Sequence, residues 1–288
     1  MSNEPIPKCS TWIRFRATPS PPHDGQSLDT SIFQPLIAWR DDYRNAFYGR
    51  VAETPDQYVL MVAWTSTTAC DAFTVSAEGG RQLVANLTAA GSDGCGDGQG
   101  VSQKQSFTVA IRKADFGRIP FWCHFGPNTE VRTAYFPPAR TGEEKQHDEL
   151  REAVMKIKTL VLGMTFGIDG SMTHLCPYRG VPACGWVVEE LTGDQLQKEI
   201  MEDNGSRATS GLPMWEGQQA SACMWTHYWK NKEAEQSYKT TERRLPENGK
   251  PLSQRLLATE AFDRDLKRFG ALGWEDYHVD FEKLPKDL

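Results

Sequence analysis

Residues 222–238 read Ala-Cys-Met-Trp-Thr-His-Tyr-Trp-Lys-Asn-Lys-Glu-Ala-Glu-Gln-Ser-Tyr. In an extended segment, alternation sets Cys223, Trp225, His227 and Trp229 on one face. His227 is the member of that face that can do acid–base work, because imidazole titrates near neutral pH and can take a phenolic or enolic proton. Trp225 and Trp229, with Trp186 from an earlier segment, would give a flat aromatic ligand ring faces and edges to pack against. A second constellation lies near the end, where His278 is flanked at two-residue spacing by Asp276 and Asp280. A carboxylate there would favour and orient an imidazolium. Plainer readings stand beside these: a buried His227 bonded to backbone, tryptophans that are core, and a wet side to an edge strand carrying His278. Arg14 and Arg16 share a face of the first strand and could bind a carboxylate, or simply face solvent. Trp122 and His124 share a parity late in the first half. Cys223 and Cys70 have no activating neighbour in sequence, so no nucleophilic thiol is expected.

The strand-to-helix stretch has an echo upstream. Residues 58–73 also run from an apolar strand through Trp and a polar turn to Ala and an aromatic. Trp64 pairs with Trp229, Ala69 with Ala234 and Phe73 with Tyr238, since 229−64 = 234−69 = 238−73 = 165 without a gap. Self-similarity at a fixed offset marks a duplicated unit, here about half the chain. By the same offset Tyr58, Leu60 and Val62 match Cys223, Trp225 and His227, so the polar and reactive wall belongs to the later copy.

Composition narrows the function. With 288 residues and 39% hydrophobic content the chain can bury two ordinary cores. Its 32 basic and 38 acidic residues give −6 with no long run of either sign, which argues against nucleic acid and against an anionic membrane surface. No segment approaches the roughly 20 apolar residues of a membrane span, and Met-Ser-Asn-Glu-Pro is not a signal-peptide opening, so a cytoplasmic protein is expected. Seven scattered cysteines without Cys-x2-Cys spacing are expected to be free thiols, with no structural metal.

In chain order, the patterning predicts a strand over 11–17, a helix over 31–44 and a hairpin of 46–52 with 57–64. A helix capped by Ser66 should break near Gly79-Gly80 and resume to Leu87. Residues 89–105 are too rich in Gly and polar residues to pack, and match neither phosphate-loop spacing. Strands over 107–111 and 118–125 would close a first unit at residues 1–128. A second unit, 129–288, would hold a strand at 131–136, a helix over 141–162, a strand at 184–191 and a short helix at 194–202. A loop at 203–219, the pivotal strand and its helix, a helix from Ser253 and a strand at 274–281 complete it. Each unit reads βαββαβ, an α+β arrangement whose bare sheet face must be covered by another sheet.

With Trp-polar-Ser/Asn leading from a central strand into a helix, the chain resembles the dimeric α+β barrel superfamily, in particular its antibiotic-biosynthesis-monooxygenase-like branch. That resemblance implies two ferredoxin-like units closing as an α+β barrel, within the chain or across a homodimer. It implies that Trp64 and Trp229 point into the barrel. His227, His278 and Asp276 would then be catalytic, and Trp225, Trp229, Trp186, Trp64 and Tyr238 would bind substrate. It further implies a cofactor-independent monooxygenase of secondary metabolism acting on an aromatic or polyketide-like substrate. The alternatives are a cyclase or isomerase in the same pocket, or a non-catalytic ligand-binding barrel. Haem is not expected, because the helix after Trp229 has no histidine.

Overall fold

A computed structural model describes residues 9–17, 28–92, 109–116, 125–140, 142–157, 177–180, 182–192, 211–240, 242–243, 246–247, 250–251 and 256–287. Eight antiparallel strands close a barrel within this one chain. They are β1 Cys9–Arg16, β2 Tyr43–Val51, β3 Gln57–Trp64, β4 Ala110–Asp115, β5 Thr129–Phe136, β6 Ala183–Thr192, β7 Ser221–Tyr228 and β8 Gly273–Lys283. Around the barrel the order is β1-β3-β2-β8-β5-β7-β6-β4, and β4 returns to β1. Taken by halves this is 4-1-3-2 twice, two ferredoxin-like βαββαβ units in tandem whose sheets join at β2–β8 and β4–β6. Such closure leaves the eight barrel strands without an open edge.

The outer layer holds α1 Thr67–Val75, α2 Gln82–Ser92, α3 Glu144–Met155, α4 Lys232–Lys239 and α5 Ala258–Arg268. The two helices that follow the central strands start alike. Ser66 accepts from the Ala69 N–H and Asn231 from the Ala234 N–H, and 231−66 = 165.

Several local expectations need correction. Residues 30–39 form a 3-10 helix containing Pro35, and the chain enters the β2 ladder at Tyr43, so the helix expected to residue 44 is shorter. Leu256–Leu257 pairs with Glu242–Arg243 as strand before α5, and α3 covers 144–155. Within the expected loop at 203–219, Met214–Trp215 and Gln218–Gln219 pair as a hairpin. Its turn residues Glu216 (φ 47) and Gly217 (φ 81) are both left-handed, the conformation that matches strand twist. The expectations for 107–108, 118–124 and 194–202, and most of 89–105, lie outside the described residues.

Strand alternation splits the apolar residues into three bodies. One lies between the first sheet and its helices and one between the second sheet and its helices; the third fills the barrel. Inside, Ala63, Ala114, Ala183, Ala220 and Ala222 make room for Trp12, Phe47, Phe116, Phe125 and Phe281. Trp12, Phe125 and Phe281 form edge-on contacts at 5.3–6.2 Å. Small residues opposite large ones are what a narrow eight-stranded lumen requires. Cys9, Cys70, Cys184 and Cys223 are free thiols, and no described helix is long and apolar enough to cross a membrane.

At the β2–β8 seam Gly49 faces Phe281, and a Cβ there would come within 2.5 Å of the Asp280 carbonyl oxygen. Backbone cannot yield as a flexible side chain does. Gly49→Ala should therefore lose about 1–3 kcal/mol in urea unfolding, the usual cost of overpacking; an unchanged midpoint would contradict this seam.

Candidate functional site

The expected site residues lie on the helix side of the sheets, not in the lumen. Trp64 packs on Phe73 at 4.7 Å and donates its indole N–H to Thr11 Oγ1 at 2.7 Å. Trp229 packs on Tyr178 and Tyr238 at 4.6 and 5.5 Å and donates to Glu130 Oε2 at 3.1 Å. The surroundings of the matched pair correspond, but both indoles point away from the barrel interior. Trp225 meets Phe262 edge-on, and Trp186 sits among Phe136, Arg151 and His147. The cause is steric: α4 and α5 present Tyr238, Phe262 and Leu266 to the sheet, and large rings fill that gap, whereas the lumen beside the same strand admits Ala220, Ala222 and Met224.

His227 shares that outer layer. It is fully buried and, among the described residues, neither ring nitrogen has a hydrogen-bond partner; Nδ1 lies 3.5 Å from Glu130 Oε2. Burial pulls its pKa down to about 4, so the ring is neutral near pH 7. It is not among the residues that line the cavity in the lumen described below. Asp276 is exposed. On β8 it is the apolar side, Tyr277, Val279 and Phe281, that enters the lumen, so His278 and Asp280 face out. The reverse orientation, with His278 in a cavity, is thereby excluded.

His278 instead anchors an ionic cluster at the rim of the outer layer. Its Nδ1 meets Glu53 Oε1 at 2.6 Å and its Nε2 meets Glu235 Oε1 at 2.7 Å. Lys239 Nζ joins Glu235 Oε1 at 2.5 Å to the buried Glu130 Oε1 at 2.8 Å. Glu130, Glu235 and His278 offer atoms close enough to share a cation, but the Lys239 ammonium already bridges the two carboxylates. Burial opposes ionisation of both partners, yet the hydrogen bonds carry His278 up to about 9 and bring Glu235 down to about 2. A histidine pKa raised from 6.5 contributes stability that is complete below 6.5 and lost as pH rises through about 9. The thermal midpoint of wild type minus that of His278→Gln should therefore shrink between pH 7 and 10. A difference independent of pH would refute the assignment.

Open space lies in the lumen, beside residues of its apolar body. A cavity of about 470 Å³ is lined by Trp12, Arg14, Gln57, Val59, Arg112, Tyr135, Met214, Trp215, Met224, Glu275 and Tyr277. Arg14, Arg112, Tyr135 and Glu275 come from β1, β4, β5 and β8, so both halves contribute. Glu275 Oε1 accepts from the Tyr135 hydroxyl at 2.7 Å and from Arg112 Nη1 at 3.3 Å. Arg112 also donates to Glu190 at 2.7 Å and to the Tyr135 hydroxyl at 2.9 Å. Trp215, carried by the 214–219 hairpin, stacks on Tyr135 at 4.5 Å, and a Cβ on Gly273 would collide with its ring. Burial would raise the Glu275 pKa, but Arg112, Tyr135 and Arg14 hold it below the ordinary value. Burial raises Tyr135, which remains a phenol. The arrangement is an ionised carboxylate beside two guanidiniums in an aromatic-walled pocket, which can accept a proton and stabilise the anion left behind.

One sequence signal could have located this site. Glu275 shares the parity of Tyr277, Val279 and Phe281, and Arg112 that of Ala114 and Phe116, so each is a charge on an otherwise apolar register. Trp122 and His124 lie outside the described residues.

Fold and cavity together define a tandem α+β barrel with a polar pocket at one mouth. No protein-family model and no curated protein sequence matches the chain. Among solved structures, the chain is similar to an anthrone oxidase-like protein, with 11% identity, coverage of 98% of this chain and 95% of that one, and a TM-score of 0.46. It is also similar to candidate monooxygenases from Fusobacterium nucleatum and Lactobacillus acidophilus. The first has 7% identity, coverage of 96% and 94% and a TM-score of 0.39; the second has 6%, 97% and 97%, and 0.40.

Proposed function

We propose that the protein is a small-molecule enzyme that deprotonates an electron-rich aromatic or polyketide-like substrate at the barrel mouth and passes the anion to dioxygen, acting as a cofactor-independent monooxygenase. The observation that carries this reading is Glu275, an ionised carboxylate on the cavity wall with one oxygen tied to Tyr135 and Arg112 and the other 3.8 Å from Arg14. It takes the role first expected of His227. Trp12, Val59, Met224, Trp215 and Tyr277 offer apolar surface to a planar ring system, and the volume suits a few fused rings.

Glu275 removes a proton from an acidic methylene, and the guanidiniums stabilise the enolate. The enolate reduces dioxygen and bonds to it, giving a hydroperoxide. Loss of water leaves a ketone, so that the methylene and dioxygen together become a carbonyl group and water. Both methylene hydrogens leave with one oxygen atom while the carbon keeps the other, so no external reductant is needed. The net acidic charge of −6 favours a small-molecule partner over nucleic acid.

The test is incubation with a panel of tricyclic aryl ketones bearing a benzylic methylene. Anaerobic hydrogen–deuterium exchange at the methylene, followed by NMR, reads the deprotonation, and an oxygen electrode reads the second step. Exchange with oxygen uptake is expected. Exchange without uptake would make the pocket that of an isomerase or cyclase, and neither signal across the panel would leave a ligand-binding barrel.

A further inference from the structure

The two cavity arginines are satisfied differently. Arg112 has a partner on each guanidinium nitrogen: Glu190 at 2.7 Å on Nε, Glu275 at 3.3 Å on Nη1 and the Tyr135 hydroxyl at 2.9 Å on Nη2. Among the described residues Arg14 makes one hydrogen bond, from Nε to the neutral Gln57 Oε1 at 2.8 Å, and its guanidinium lies 4.8 Å from the Tyr277 ring centroid. Its nearest carboxylate, Glu275 Oε2, is 3.8 Å from Nη1, beyond hydrogen-bond reach. Among the described residues nothing else receives an N–H from its Nη groups. The side chain is 31% exposed and forms part of the cavity wall.

An amide on Nε and a ring against the guanidinium fix a planar fork, with the Nη edge left to pair with whatever enters. Such a fork matches a carboxylate, which can take two parallel N–H bonds, far better than it matches a neutral oxygen. The geometry points to Arg14 as the recognition site for a carboxylate carried by the substrate, making the preferred ligand an aromatic acid and not a neutral ring system. This deepens the proposed function, on which it rests for the location of the substrate. The short separation of Arg14 from Glu275 Oε2 suits neighbouring substituents on one ring, an acid group on Arg14 and an ionisable hydroxyl or methylene at Glu275. A carboxylate on the Nη edge also competes with the weak contact to Glu275, which leaves Oε2 freer to accept a proton.

The experiment compares 1-hydroxy-2-naphthoate with its methyl ester by isothermal titration calorimetry, which needs no turnover. Wild type should bind the acid roughly tenfold or more tighter than the ester, as a charge-assisted pair implies. Arg14→Gln should bring the ratio close to one, and Arg14→Lys should keep part of the preference. An acid-to-ester ratio of one in wild type, or a ratio that Arg14→Gln does not change, would overturn the assignment. The wild-type comparison decides even where a variant fails to fold. Glu275→Gln separates this from the proposed reaction: if it leaves turnover intact the reaction is wrong, whereas the binding ratio still judges Arg14.

Discussion

Glu275→Gln should lower kcat/KM by roughly 10²–10⁴ on any substrate the protein turns over, while the thermal midpoint moves little. Gln keeps a carbonyl oxygen to accept from Tyr135 and Arg112, so the bonds at 2.7 and 3.3 Å have a replacement and the wall of the cavity stays in place. What is lost is the negative oxygen that takes the proton. Because Arg112, Tyr135 and Arg14 hold Glu275 below the ordinary carboxylate range, the acid limb of the wild-type pH–rate profile should fall below pH 4.5 and be absent from the variant. So weak a base is effective only if the same cations stabilise the substrate anion, which makes Arg112 and Arg14 part of one device with it. Steady-state rates with matched melting curves check this. Wild-type kcat/KM in a folded Glu275→Gln protein would end the assignment.

Lys239→Met should destabilise the fold by about 3–5 kcal/mol, because it removes the ammonium facing a buried carboxylate. Glu130 is 1% exposed and has Lys239 at 2.8 Å, the Trp229 N–H at 3.1 Å and the neutral His227 at 3.5 Å. Without Lys239 no lysine or arginine among the described residues remains paired with it. Removing both charges is a different case, and Glu130→Gln with Lys239→Met should recover much of the loss, since the desolvation penalty goes with the pair. A double-mutant cycle by urea unfolding measures the coupling. A single Lys239→Met variant within about 1 kcal/mol of wild type, on the order of an exposed pair, would mean that water reaches Glu130 and that the cluster is only surface.

The second effect is not legible in the sequence, where Glu130 and Lys239 are ordinary charged residues far apart along the chain, and the first shows there only as a charge, Glu275, on the apolar register of β8. Much else is legible. The 165-residue offset anticipated two units of like strand order, and the observed caps Ser66 and Asn231 lie at that same offset. The polar turns after Trp64 and Trp229, the hairpin at Pro55-Asp56 and the alternation of β8 are local chemistry, so their residues specify them without help from the rest of the fold.

Which side of each strand faces the lumen is not local. Alternation separates Trp225 and His227 from Met224 and Thr226 but does not say which pair is inside. That depended on the volume left under α4 and α5, which calls for Trp225, Trp229 and Tyr238, and on the narrow bore of eight closed strands, which calls for alanine at 220 and 222. The residues themselves thus determined the strands, the pattern that recurs 165 positions apart and the faces. Tertiary closure alone decided the sign of the faces, and with it that Arg14, Arg112, Tyr135 and Glu275, drawn from four strands in two halves, meet at one open end: convergence of that kind is a property of three-dimensional packing, which no local pattern encodes.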